Sequence, residues 1–284
     1  MLASAVAFLL RNLISALMLS VGASTTIAGL RATWSQRSLV WRALIVLFLA
    51  VPALALATAA VLPLDGRPAH FIVLMAICPG TPMVFRSFRD RTLLVALIAI
   101  VGLVAPFAIW AWVSLLEHVS PIHLHLATHA VARTALEQLL PLAVGVALAS
   151  TLPRVARAIA RISWYFFAIA LAFAIVIALI KGGRELFTTN GWSIVAVLVM
   201  VAGSIALGQW AGYPTRESQR LVATMAVLGN PALAVAVLAS TDPGFRPGAL
   251  FFAYLIARAV FLFPYAQWSK RWTHHGLRVV EIGV

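Results

Sequence analysis

Charge is what this sequence has least of. Only 10% of its 284 residues are Asp, Glu, Lys or Arg, while 63% are hydrophobic; an average soluble domain carries about 25% charged residues. A water-facing globule is therefore excluded. Acidic residues are the scarcest: Asp65, Asp90, Glu117, Glu137, Glu185, Glu217, Asp242 and Glu281 are the whole set, and all lie in or near expected connections. Glu137 alone reaches into a helix, with Arg133 four residues before it as its partner. A proton relay through buried carboxylates thus lacks its usual parts. Cys78 is the single cysteine, which excludes an intrachain disulfide and a cysteine-built zinc site and leaves Cys78 as a small packing residue. The chain also lacks a Gly-x-x-x-x-Gly-Lys-Ser/Thr phosphate loop, so ATP-driven transport by this chain alone is not expected. It shows no nucleophile, base and oxyanion constellation either. No catalytic residue, metal site or resident cofactor is expected, and an enzyme is not the reading.

What is present is apolar sequence in runs of about 20 residues, each long enough to cross a bilayer as a helix. Nine such segments can be counted: Phe8 to Leu30, Leu39 to Val61, Phe71 to Phe85, Leu93 to Leu116, Leu136 to Leu152, Trp164 to Ile180, Ser193 to Ala211, Leu221 to Ala239 and Leu250 to Trp268. The first contains Arg11 and has no clearly basic start, so it reads as a helix of the mature chain rather than a signal peptide. Residues 1–284 are expected to form one transmembrane domain.

The formal charge of +13 would point to nucleic acid in a soluble chain. Here the basic residues sit at the ends of apolar runs, so no nucleic-acid partner is expected. Arg31, Arg37 and Arg42, then Arg86, Arg89 and Arg91, Arg154, Arg157 and Arg161, Arg216 and Arg220, and finally Lys270, Arg271 and Arg278 fall on alternate connections. The opposite side holds only Arg11, Arg67, Arg133, Lys181, Arg184 and Arg246. The positive-inside bias then puts the N-terminus outside and the C-terminus in the cytoplasm of a cell (plasma or inner) membrane. The Arg86 to Arg91 run reads as a solvated cytoplasmic end. His118, His123, His125 and His129 read as a wet outer loop rather than a zinc site.

Two segments are broken from within. Ile77-Cys78-Pro79-Gly80-Thr81-Pro82-Met83 places two prolines and a glycine in the third, and Leu228-Gly229-Asn230-Pro231-Ala232 interrupts the eighth. Proline lacks an amide hydrogen and blocks the carbonyl one turn back, so each break frees carbonyls that lipid cannot satisfy. Such backbone persists only buried in protein or lining a wet cavity. The breaks are five segments apart, and an odd offset reverses direction. Helices 1–4 and 6–9 then read as inverted repeats with the interrupted helices 3 and 8 meeting near the midplane. Arg258 adds a cation near the middle of the ninth segment, to be stabilised by an anionic substrate or by the carbonyl end of a broken helix.

Five stretches in register resemble the bile acid:sodium symporter family and its wider superfamily of secondary transporters: Leu17-Met18-Leu19-Ser20-Val21-Gly22, Ala50-Val51-Pro52-Ala53-Leu54-Ala55, Cys78-Pro79-Gly80, Leu140-Pro141-Leu142-Ala143-Val144-Gly145 and Gly229-Asn230-Pro231-Ala232-Leu233-Ala234. The resemblance covers most of the chain. It implies two crossed discontinuous helices, a core domain (helices 2–4 and 7–9) moving against a panel domain (helices 1, 5 and 6), and organic-anion substrates. It also implies sodium coupling, but the chain departs from the family there. The positions of the family's Ser-Asn pair and glutamate fall on Val84 and Phe85, and on Met225, none of them a good ligand for a hard cation.

The expectation is thus an all-α, polytopic secondary transporter of a small organic anion, working by alternating access in the lipid bilayer. Its substrate site would comprise Pro79, Gly80, Thr81, Gly229, Asn230, Pro231 and Arg258. Sodium, if coupled, would have only Thr81, Thr224, Asn230 and freed carbonyls as ligands, so its influence is expected to be weak. The alternative is a membrane receptor or scaffold that keeps the fold without transporting. Solute, coupling, direction and oligomeric state are not read from the sequence.

Overall fold

An apolar chain in lipid must satisfy its backbone polar groups internally, which a helix does within one segment. In a computed structural model that describes residues 15–64, 66–78, 91–119, 128–182, 190–229 and 248–281, every described element is a helix. In order they are α1 (Ser15–Ser24), α2 (Ile27–Ser35), α3 (Arg37–Ile45), a π-helical turn (Val46–Ala50), α4 (Val51–Val61), α5 (Gly66–Ile77), α6 (Arg91–Val119), α7 (Thr128–Thr151), α8 (Pro153–Gly182), α9 (Gly191–Ala211), α10 (Arg216–Val227) and α11 (Gly248–Glu281). Among the described residues, Arg37–Val61, Leu93–Leu116 and Gly191–Ala211 are long and apolar enough to span a membrane.

Several helices start before the expected apolar run, α7 at Thr128 rather than Leu136 and α8 at Pro153 rather than Trp164 among them, and three further departures have a local cause. The first segment is not continuous to Leu30: α1 stops at Ser24, and the extended Thr26 starts α2 by accepting the Gly29 amide at 3.0 Å, an ordinary N-cap. The helix from Arg37 to Val61 contains a π turn where an α-helix was expected. Pro52 has no N–H to offer the Phe48 carbonyl, and the indole Nε1–H of Trp112, on α6, donates to that oxygen at 2.6 Å instead. The last helix runs past Trp268 to Glu281, because Lys270 and Arg271 favour helix as much as the apolar residues before them do.

Two groups of helices are held by different close approaches. α1 crosses α7 where Gly22 meets Gly145; a Cβ on Gly145 would sit 2.7 Å from the Gly22 carbonyl carbon. Ser20, also on α1, donates its hydroxyl to the Ala160 carbonyl of α8 at 2.9 Å. Small residues that let backbones touch, and hydroxyls that bond across helices, are how helices associate where lipid cancels the hydrophobic drive. In the other group α9 packs on α4, α5, α10 and α11, with α10 folded back against it so closely that a Cβ on Gly208 would lie 2.7 Å from the Ala223 amide nitrogen.

Candidate functional site

Two helices stop in the interior where the sequence places its breaks. α5 ends at Ile77, with Cys78 in a bend donating its N–H to the Leu74 carbonyl at 3.0 Å. Phe71, Leu74, Ile77 and Cys78 are all fully buried, so the last described turn of α5 presents apolar side chains to the interior. α10 begins at an N-cap, where the Thr215 hydroxyl accepts from the Ser218 amide at 3.2 Å, and stops at Val227. Leu228 leaves the helix with φ −83° and ψ 70°.

The two ends touch through Gly229. A Cβ there would be 2.7 Å from the Met75 carbonyl oxygen of α5 and 3.1 Å from the Tyr254 hydroxyl. Only glycine lets the two main chains approach so closely.

The carbonyls released beyond α10 find partners on α11. Tyr254 donates its hydroxyl to the Val227 carbonyl at 2.6 Å and accepts the Gly229 amide at 3.3 Å. Arg258 Nη1 donates to the Gly229 carbonyl at 3.4 Å. Residues 254 and 258 are one turn apart on the same helix face, and the guanidinium lies 5.5 Å from the centroid of the Tyr254 ring, in cation–π range. A cation and a phenol thus close the negative end of a helix that stops short. Arg258 is only 7% exposed and sits about 15 Å along α11 from Gly248 at 1.5 Å per residue. Of the two partners expected for it, the structure supplies the helix carbonyl.

Of the expected site residues, Gly229 and Arg258 are brought together. Thr224 is buried one turn before Val227, its hydroxyl donated to the Arg220 carbonyl at 2.7 Å; it has only oxygen lone pairs to offer a cation. Met225 is fully buried in the core. Pro79, Gly80, Thr81, Asn230 and Pro231 lie outside the described residues, as do Val84, Phe85 and the side chains of the four loop histidines. Sequence reasoning missed Tyr254. Its signal was the four-residue spacing to a buried arginine.

Several apolar helices with two interior ends closed on each other define a multi-pass membrane protein of the helical transporter class. The chain belongs to the sodium bile acid symporter family: the model described as "Sodium Bile acid symporter family" matches residues 12–190, more than half of its length. This is a family of transporters, not enzymes. The match takes in α1 to α8 and the first break, while Gly229, Tyr254 and Arg258 lie beyond it. No curated protein matches the chain.

Proposed function

We propose that this protein is a secondary active transporter of a small organic anion, working by alternating access, with its substrate site at the junction of the two interrupted helices. The observation that carries this reading is the seating of Gly229 on the Met75 carbonyl beside Arg258: two helix ends, freed backbone and a buried cation share one place. A guanidinium has five N–H donors, and the bond to Gly229 uses one. Pro79, Gly80, Thr81, Asn230 and Pro231 complete the proposed site.

The finer architecture is nine spans, with inverted repeats of helices 1–4 and 6–9. In its favour, each interrupted helix packs on the one before it, α5 on α4 and α10 on α9. The panel of helices 1, 5 and 6 corresponds to α1, α7 and α8, which the Gly22–Gly145 crossing and the Ser20 bond tie together. The remaining helices form the core. The N-terminus is outside and the C-terminus cytoplasmic, in the plasma or inner membrane.

Sodium coupling is weak in this reading, because Met225 replaces the family's glutamate and Thr81, Thr224 and Asn230 are the remaining side-chain ligands. That same replacement favours a second reading, a receptor or scaffold that has lost its ion site. Counterflow in proteoliposomes separates the two. A labelled organic acid, drawn from a panel of bile salts, pantoate-like acids and oxo acids, should exchange against its unlabelled form with little dependence on sodium. Binding without exchange would establish the receptor, and a steep sodium requirement would show that carbonyls and hydroxyls suffice as ligands.

A further inference from the structure

Away from the helix junction, α2, α3, the π turn and α6 enclose an open groove of about 780 Å³. One end carries Arg31 with Trp34 and Trp41, both indoles about half exposed (52% and 55%). The rest is hydrocarbon, with Leu44, Ile45 and Leu49 on one wall and Leu103 and Val104 on the other. The π turn shapes it, since Phe48 and Leu49 line the groove from inside that turn.

We infer that this groove is a binding site for one anionic phospholipid, its phosphate on Arg31 between the two indoles and an acyl chain lying along the π turn. From Trp41 to Leu49 the helix rises about 12 Å, close to the roughly 15 Å that one leaflet of hydrocarbon measures. The polar end and the chain-length end therefore match a lipid standing in its own leaflet. Among the described residues no carboxylate lines the groove, so the charge they place at its mouth is positive, and tryptophans flank it as they do at headgroup level. An acyl chain gains little by exchanging bilayer for groove, because both are hydrocarbon. Selection must come from the head, which makes charge rather than chain the discriminating feature. The leaflet is the cytoplasmic one under the orientation proposed above; the site itself does not depend on that reading or on transport.

Native mass spectrometry of the purified full chain, given phosphatidylglycerol and phosphatidylcholine in equal amounts, tests this. One phosphatidylglycerol should be retained with an about fivefold preference, the scale of one arginine's attraction to an anionic surface. Arg31→Gln should erase the preference. Leu103→Trp, which fills the groove, should lower retention of both lipids, while inorganic phosphate should displace neither. Equal retention of the two lipids, an unaffected Arg31→Gln variant, or displacement by phosphate alone would overturn the proposal. So would a dimer that Leu103→Trp dissociates, since the occupant would then be a second copy.

Discussion

The tips of α5 and α10 do the same architectural work and are finished in opposite ways. At the α5 tip Phe71, Leu74, Ile77 and Cys78 are all buried, and the Cys78 amide bonds back to the Leu74 carbonyl of α5 itself. Around Val227 the closing groups are borrowed from α11, a phenol on the Val227 carbonyl and a guanidinium on that of Gly229. In the proposed transporter the difference would separate holding from handling. An apolar socket fixes where a helix stops, whereas a polar clasp presents groups that can be exchanged for those of a solute.

Variants can break this contrast. The largest effect is expected from Arg258→Leu, which should abolish uptake in proteoliposomes while the protein still inserts in normal amount; unchanged uptake would take Arg258 out of the site. Leu74→Ala should do the reverse at the other tip. It removes a fully buried side chain and should cost about 3 kcal/mol of stability, read by thermal unfolding in detergent, with transport per folded molecule kept. Gly229→Ala presses a methyl on the Met75 carbonyl and should cost about 2 kcal/mol, lowering both stability and uptake because it acts where the tips meet. Tyr254→Phe sharpens the comparison most gently. Losing the hydroxyl on the Val227 carbonyl should cost about 1 kcal/mol and reduce uptake only partly.

Much of this was legible from one residue type. Pro79 and Pro231 flank the points where α5 and α10 end, because a missing amide hydrogen acts locally and shows in the sequence. Pro52 was equally visible, yet the π turn before it was not, since it is answered by Trp112, 64 residues away. Arg258 was legible as a costly charge, and the carbonyl end of a helix was one of its two expected partners. Tyr254 was marked only by its four-residue spacing to Arg258, and on a helix rich in aromatics that spacing alone does not single out the phenol that faces a severed backbone. The stop at Thr25 and Thr26 was overlooked although threonine is a common N-cap; the apolar run on both sides outweighed it.

The chain's sole sulfhydryl, on Cys78 immediately after α5, is fully buried. Nature has therefore left a ready-made chemical clock at the junction. In the proposed transport cycle a small maleimide would reach that sulfur when the two tips part, and the chain holds no other thiol to compete for the reagent. The speed of alkylation, with and without solute, would time the opening of the site in the unaltered protein.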